Sequence, residues 1–279
     1  MRRVPTTERL HPRGADLDAL SPRLLLARLH RGDVEAARAV GRSLPSLARL
    51  LEAATGTLCA GGRLVYAGAG TSGRLGALDA AECPPTFGVP RSRILALVAG
   101  GPAALSRAVE GAEDDGDAGA AAVTRARLGP RDLLVAVSAS GRSAWVLAAL
   151  REARRRGART ALVTSSPEAR PPVDHRVLLD TGPELVAGST RMKAGIAAHM
   201  ALTLVSTASF VRLGAVDRGL MVALRPSSRK LRERALRNVC ALAGVGPARA
   251  RAALSKCGWS VARALRSLGS VARRRGGRR

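Results

Sequence analysis

Five short apolar segments alternate with helix-forming segments in the middle of this sequence, and no other feature restricts the fold as strongly. The segments consist mostly of Val, Leu, Ile and Ala, and they occupy residues 63–69, 93–100, 132–140, 159–166 and 175–182. Strands separated by helices need crossover connections, which produce a parallel sheet covered on both faces. We therefore predict an α/β fold with a five-stranded parallel sheet, whose ligands bind at the carboxyl ends of the strands.

Helical patterns precede and follow the predicted strands. Ser21 and Pro22 form a cap and a first helical position, and a second helix is predicted from about Asp33 to the sequence CAGG. The segment PAALSRAVEGAEDD is predicted to begin a helix at its proline, and a long helix is expected from about Ser189. Only helical patterns follow Pro226. We predict three regions: N-terminal helices (1–55), the α/β domain (56–225) and a small helical C-terminal unit (226–279).

The chain carries a large positive charge, with 46 Lys and Arg against 21 Asp and Glu and a formal net charge of +25. Nearly all of it is arginine spread along the chain, because lysine occurs only at positions 193, 230 and 256. Aromatic residues make up 2% of the sequence, so the basic segments lack side chains for base stacking. Nucleic acid is therefore not expected as a partner, and the run Arg273–Arg279 is predicted to be a solvated tail.

Cysteine and histidine usage indicates neither disulfides nor metal. The four cysteines, at positions 59, 83, 240 and 257, form no CxxC pair, and no apolar segment of a signal peptide follows the basic N-terminus. The four histidines lack the spacing of metal ligands. We expect free thiols, no bound metal and a cytoplasmic protein. The segment 194–211, which has no Lys, Arg, Asp or Glu, is predicted to be a buried helix rather than a membrane span.

Two strand-to-helix turns, GAGTSGRLG and SASGRS, combine glycines with hydroxyl side chains. Glycines let backbone N–H groups converge on an anion, the helix N-terminus adds its positive end, and hydroxyls fill the remaining oxygens. One such turn would equally suit a tight structural turn, but two at corresponding places after strands predict a monophosphate site. The Walker lysine is missing, and the repeated hydroxyl pattern argues against a dinucleotide fingerprint. The candidate phosphate-binding residues are Thr71, Ser72, Gly73, Ser138, Ser140, Gly141 and Ser143.

Two carboxylates and a basic cluster complete the candidate site. Glu82 precedes a rigid Pro-Pro pair, and Glu113 lies in the acidic segment VEGAEDDGD. Two carboxyls in different surroundings can divide acid and base catalysis between them, although an exposed acidic cluster is also typical of a solvated helix end. In GPELVAGSTRMKAG, Ser189 and Lys193 lie at a predicted helix start, where a cation opposes the helix dipole. An anionic ligand, a neighbouring carboxylate or an ordinary surface position would each explain the lysine.

These motifs together resemble the N-acetylmuramic acid 6-phosphate etherases, a family built on the sugar-isomerase (SIS) phosphosugar-binding fold. The family's order and spacing recur in TERLHP, DLDALS, GAGTSGRLGALDAAECPPTFG, AGGPAALSRAVEGAEDDGDAG, SASGRS, GPELVAGSTRMKAG and LMVALR. The resemblance extends from about Thr7 to the helical C-terminus, and the ECPPTFG and GAEDD elements are specific to the family. It implies a SIS-type five-stranded parallel sheet flanked by helices.

The resemblance also implies a lyase that cleaves the D-lactyl ether of N-acetylmuramic acid 6-phosphate by eliminating lactate and then adding water. Ser72, Ser140 and Ser143 would hold the phosphosugar with nearby backbone. Glu82 would protonate the departing lactate, and Glu113 would remove the C2 proton. No cofactor is expected, because the carbonyl of the substrate is the electron sink. The family further implies a homodimer and a role in cell-wall amino sugar recycling.

The sequence departs from the family in the N-terminal motif, in the long helix and further on. The positions concerned are His11, Ile196, Ala198, His199, Thr203 and Gly219. These changes leave the carboxylates and the phosphate turns intact but affect the substrate contacts expected from the long helix. Two alternatives remain at this point. One is a phosphosugar isomerase, against which the Glu82 segment argues; the other is a non-catalytic sugar-phosphate sensor, since the animal glucokinase regulatory protein resembles the etherases.

Overall fold

The computed structural model describes residues 4–224, 226 and 228–269. The contacts within it divide the chain into two compact units. The first unit combines the described parts of Met1–Ala80 and Ile94–Val205, and the second combines Ala81–Arg93 with the described part of Ser206–Arg279. The domain boundaries expected after residues 55 and 225 stay predictions. The basic run Arg273–Arg279, predicted to be a solvated tail, lies outside the described residues.

The first unit contains the five-stranded sheet. Its strands are β1 (Leu64–Gly68), β2 (Ile94–Val98), β3 (Leu133–Val137), β4 (Arg159–Thr164) and β5 (His175–Leu178). They lie in the order β2-β1-β3-β4-β5, and all neighbouring pairs are parallel. The α/β fold predicted from the alternating segments is therefore confirmed. The strand order reverses between β1 and β3, which is where such sheets bind ligands.

The core of the first unit is aliphatic, as the scarcity of aromatic residues requires. All residues of β1 and β3 are buried, which is typical of central strands in a sheet covered on both faces. The helix α3 (Gly70–Phe87) follows β1, whereas α4 (Gly116–Arg125) precedes β3 and α5 (Ala144–Arg155) follows it. Trp145 and Tyr66 are both fully buried in this unit, and Trp145 packs among Leu, Val and Ala side chains.

The two N-terminal helices separate later in the chain than predicted. The first, α1 (Pro22–Arg42), runs through Asp33, and α2 (Leu44–Cys59) follows after the single residue Ser43. The prediction of a new helix at Asp33 is wrong because the preceding Gly32 is a packing position. A Cβ on Gly32 would lie 3.2 Å from the side chain of a buried lysine. The break falls at Ser43, whose hydroxyl donates a hydrogen bond to a carbonyl of α1 at 2.9 Å.

The long helix α6 (Lys193–Arg212) begins four residues after the predicted start at Ser189. By length and composition, it is the one helix in the described part of the chain that could cross a membrane. However, 56% of its most apolar window is buried inside the structure. This burial favours the core helix that was expected for the uncharged segment.

The second unit is mainly helical. Its helices α7 (Arg229–Ala243), α8 (Pro247–Lys256) and α9 (Val261–Ser267) follow two short antiparallel strands, β6 (Val216–Asp217) and β7 (Leu220–Met221). Leucine, valine and alanine side chains from the three helices form its apolar core. The helical patterns predicted after Pro226 are confirmed over the described residues.

Candidate active site

The first hydroxyl turn lies directly after β1, where α3 begins. Gly70 has a φ of 53°, in the left-handed region that favours glycine. A Cβ on Gly73 would lie 2.5 Å from the carbonyl oxygen of Gly68, so only glycine lets the first turn of α3 approach the end of β1 this closely. The first N–H groups of a helix have no acceptor within it and attract anions. Thr71 and Ser72 add hydroxyls at this helix start.

The second hydroxyl turn follows β3 and leads into α5. Gly141 has a φ of 68°, and a Cβ there would lie 2.1 Å from the Cβ of Ala169. The N–H of Gly141 donates to Oγ of Ser138 (3.1 Å), and the N–H of Arg142 donates to Oγ of Ser140 (3.2 Å). These bonds use a lone pair of each hydroxyl and leave its hydrogen for another acceptor. Both serines can therefore donate to a phosphate oxygen.

A small cleft lies beside the first turn, at the carboxyl ends of β3 and β4. Its volume is about 10 Å³, which is space for about one water molecule. Its polar lining comes from Ser72, Thr164, Ser165 and Thr190. Only Ser72 belongs to the predicted set, and Thr190 lines the cleft next to the predicted Ser189. The sequence analysis missed Thr164 and Ser165 at the end of β4, although the signal was present, because RTALVTSS also ends a strand in hydroxyls.

Glu113 lies in an exposed loop, and hydrogen bonds to its backbone carbonyl hold that loop in place. Its carbonyl oxygen accepts hydrogen bonds from Oγ of Ser143 (2.9 Å) and from the N–H of Trp145 (3.0 Å). Both donors belong to the start of α5. The structure therefore joins the second hydroxyl turn to the loop that carries one of the two candidate catalytic carboxylates.

The first hydroxyl turn also holds this loop. The helix predicted to begin at Pro102 is only a 3-10 turn, Gly101–Leu105, and α4 starts later. Gly111 has a φ of 71°, which interrupts a right-handed helix. The guanidinium of Arg74, on the first turns of α3, donates to the carbonyls of residues 104 (2.8 Å) and 107 (2.9 Å). These long-range bonds stabilise an irregular loop where local patterns predicted a helix.

Glu82 belongs to the second unit and is exposed. Its helix, α3, continues through both prolines to Phe87. Phe87 is 7% exposed and stacks on Phe210, with ring centroids 4.6 Å apart. Gly88 then has a φ of 68°, and a Cβ there would lie 1.8 Å from a carbonyl oxygen of the second unit. The chain beyond Glu82 is thus fixed by packing, as its sequence suggested.

Lys193 is 3% exposed at the start of α6, and its Nζ lies 3.1 Å from a carboxylate oxygen of Glu35. The carboxylate of Glu184 accepts the N–H groups of Lys193 (3.0 Å) and Ala194 (2.9 Å). Burial raises the pKa of Glu184, which is 1% exposed. The sequence left three explanations for Lys193: an anionic ligand, a neighbouring carboxylate or a surface position. The structure shows the neighbouring carboxylate. A substrate contact by Lys193 or Ser189 stays a prediction.

The parallel sheet with strand order β2-β1-β3-β4-β5, with two glycine- and hydroxyl-rich turns at its switch point, has the architecture of a SIS-type domain. Residues 46–154 match the family model of the glucokinase regulatory protein N-terminal SIS domain. A phosphoheptose isomerase from Francisella tularensis has the same fold, with a TM-score of 0.51 at 18% identity, over 69% of this chain and 100% of that one. An E. coli CFT073 protein in complex with A5P is similarly related, with a TM-score of 0.51 at 16% identity, over 72% and 97%.

Sequence relatives identify the family within this class. An N-acetylmuramic acid 6-phosphate etherase from Deinococcus radiodurans is 50% identical over 261 residues, which are 93% of this chain and 86% of the relative. Another from Rubrobacter xylanophilus is 46% identical, over 90% of this chain and 84% of the relative. The chain belongs to the N-acetylmuramic acid 6-phosphate etherase family.

Proposed function

We propose that this protein cleaves the D-lactyl ether of N-acetylmuramic acid 6-phosphate, producing N-acetylglucosamine 6-phosphate and D-lactate. The observation that carries this proposal is the 50% identity to a named etherase over 93% of the chain. The chain also carries the motifs that resemble the family in both phosphate turns and in the Glu82 segment. The enzyme is thus a carbon–oxygen lyase that acts in amino sugar recycling.

The two hydroxyl turns bind the phosphate of the substrate. The first N–H groups of α3 supply donors at the switch point of the sheet, whereas those of Trp145 and Val146 in α5 are already bound within the protein. Ser72 lines the cleft, and Ser140 keeps a hydroxyl hydrogen for an anion. Thr71, Gly73, Ser138 and Gly141 shape the same two turns.

The reaction removes a proton from C2 and the lactate oxygen from C3. In the open-chain sugar, the aldehyde makes the C2 proton acidic, and Glu113 accepts it. The electron pair forms a C2–C3 double bond while the C3–O bond breaks, and Glu82 supplies the proton that the departing lactate takes. Water then adds at C3, and a proton returns to C2. The balance is one water consumed for each ether cleaved, and no electrons pass to a cofactor.

The test is lactate release from N-acetylmuramic acid 6-phosphate by the wild type and by Glu82→Gln and Glu113→Gln. Each substitution removes one general acid or base and should lower kcat by about 10²- to 10⁴-fold. Glu110→Gln is the matched control, because Glu110 is exposed in the same loop as Glu113 and should keep wild-type activity. Full activity in both carboxylate variants would refute their assignment, whereas an inactive wild type would refute the function itself.

A non-catalytic sugar-phosphate regulator is the second candidate, because residues 46–154 match the SIS domain of a regulatory protein. A regulator of this kind would bind the phosphosugar tightly without releasing lactate. Isothermal titration with the substrate, followed by lactate measurement on the same sample, separates the two functions. In a separate sample with a 2-hydroxy aldose phosphate, conversion to the ketose phosphate would instead indicate an isomerase.

A twofold homodimer in the cytoplasm completes the proposal. The support for the dimer is the resemblance to the etherase family, which implies one. Light scattering after size-exclusion chromatography measures the mass directly. A monomer at micromolar concentration would contradict the dimer. Cell fractionation would test the location.

A further inference from the structure

The backbone of the second hydroxyl turn is tied to the end of β4. Ala139, which directly follows the candidate phosphate-binding residue Ser138, accepts two hydrogen bonds at its carbonyl oxygen. The donors are Oγ1 of Thr164 and the N–H of Ser165, each at 3.1 Å. The N–H of Ser138 in turn donates to the carbonyl of Val163 at 3.0 Å. The pairing of β3 with β4 therefore continues into the turn, and one of these three bonds comes from a side chain.

That side chain, Thr164, is 2% exposed at the last position of β4. Its Oγ1 donates to the carbonyl of Ala139 and accepts the N–H of Ser166 at 3.2 Å. A threonine hydroxyl has only one hydrogen to donate, so this hydrogen is already used although Thr164 lines the small cleft. The hydroxyl therefore connects the second hydroxyl turn to the loop that follows β4.

The loop that follows β4 is a rigid base for this connection. The guanidinium of Arg176 donates to three backbone carbonyls between Ser166 and Ala169, at 2.7–3.2 Å. A Cβ on Gly141 would lie 2.1 Å from the Cβ of Ala169 and 3.5 Å from Oγ1 of Thr164. The turn thus packs directly on the loop and on Thr164. Because the loop is held from its other side, the hydroxyl of Thr164 fixes where the turn lies.

We propose that Thr164 is a positioning residue for the phosphate site, whose hydroxyl holds the second hydroxyl turn in place without binding the phosphate itself. This inference rests on the proposed function, which assigns the phosphate to the two hydroxyl turns. Loss of the hydroxyl removes a donor from Ala139 and an acceptor from Ser166, so the turn gains freedom. Phosphate must then order the turn when it binds, which lowers its affinity. The proton transfers assigned to Glu82 and Glu113 are not touched by this change.

The experiment compares four variants of the full-length protein. Thr164→Val removes the hydroxyl and keeps the branched shape, whereas Thr164→Ser keeps the hydroxyl. Thr164→Ala removes the hydroxyl with less bulk and replaces the valine variant if that one does not fold. Thr160→Val is the matched control, because Thr160 lies near the opposite end of β4, is 0% exposed and donates its hydroxyl hydrogen to Asp174 at 2.9 Å.

Three quantities are measured for each variant: the affinity for inorganic phosphate by isothermal titration, amide hydrogen exchange in residues 138–142, and kcat and KM for lactate release. Thr164→Val and Thr164→Ala should weaken phosphate binding and raise KM by about 5- to 10-fold, the effect of one hydrogen bond. They should also speed exchange in the turn, and kcat should change by less than about threefold. Thr164→Ser should stay close to the wild type. Thr160→Val should lower Tm but leave the three quantities unchanged.

Wild-type phosphate affinity in Thr164→Val and Thr164→Ala would overturn the inference. Weaker binding with unchanged exchange in the turn would overturn it too, because Thr164 would then contact the phosphate directly. An equal loss of affinity in Thr160→Val would assign the effect to general destabilisation of β4, with the same consequence.

Phosphate binding and hydrogen exchange need no turnover, so they separate this inference from the proposed activity. A wild type that binds phosphate but releases no lactate would refute the activity, and the two measurements would still decide the role of Thr164. A wild type that binds no phosphate would overturn the phosphate site and the role of Thr164 together.

Discussion

The contact between α4 and α5 predicts that a single methyl group will destabilise the protein. Gly119 lies inside α4, and a Cβ there would lie 2.1 Å from the carbonyl oxygen of Trp145 on α5. An ordinary contact needs at least 3.4 Å, so Gly119→Ala must separate the two backbones by more than 1 Å. Neither atom belongs to a flexible side chain that could turn away.

The expected loss is the balance of two effects of opposite sign. Overpacking in a core costs about 1–3 kcal/mol. The upper end of this range applies, because the new Cβ would overlap a backbone carbonyl that no side-chain rotation can move. Alanine in a helix interior gains about 1 kcal/mol over glycine. Gly119→Ala should therefore lower the free energy of unfolding by about 2 kcal/mol. At about 2–4 °C for each kcal/mol in a domain of this size, Tm should fall by about 4–8 °C.

The assay is thermal unfolding followed by circular dichroism, with Gly56→Ala as the matched control. Gly56 lies within α2, and a Cβ there meets no atom within 4 Å. Gly56→Ala should therefore raise the free energy of unfolding by about 0.5–1 kcal/mol, whereas Gly119→Ala should lower it. A Gly119→Ala protein that melts at or above the wild-type temperature would refute the reasoning, because helix propensity would then outweigh the contact.

Two further predictions concern a buried ion pair and the second hydroxyl turn. Burial would raise the pKa of Asp132, but hydrogen bonds from Arg63 and Gly129 outweigh burial and lower it. The ionised carboxylate therefore stabilises the fold at pH values above its unfolded pKa. That stabilisation is lost as the pH falls through the folded pKa. Asp132→Asn should cost about 2 kcal/mol at pH 7, and urea unfolding should show the difference shrinking towards pH 3; a constant difference would contradict the pairing. Gly141→Ala places a side chain at a φ of 68° and 2.1 Å from Ala169, so inorganic phosphate should inhibit the variant about tenfold less well; unchanged inhibition would exclude the turn from the phosphate site.

Local patterns were sufficient for the sheet and for both hydroxyl turns. Each strand is an apolar run that ends in glycine or hydroxyl residues, and each signal lies within about ten neighbouring residues. Gly70 and Gly141 are readable in the same way, because a turn between a strand and a helix favours a residue that tolerates positive φ. The resemblance to the etherases then supplied the function and the roles of the carboxylates.

Helix boundaries that depend on distant contacts could not be predicted. Gly32 looks like a helix breaker but packs against the side chain of Lys193, so α1 continues through it. The segment after Pro102 has a helical composition, yet Arg74 binds two of its carbonyls and holds it as a loop. In both cases a partner far along the chain overrides the local preference.

The sequence by itself therefore determined the parallel sheet, its order of strands and helices along the chain, and the two turns suited to a phosphate. Only the tertiary structure decided what each polar group in those turns binds. The hydroxyl of Ser143 meets the carbonyl of Glu113, thirty positions away, and Nζ of Lys193 meets Glu35, 158 positions away. Periodicity and turn chemistry act over a few residues, whereas a hydrogen bond depends on atoms that come together only when the chain folds.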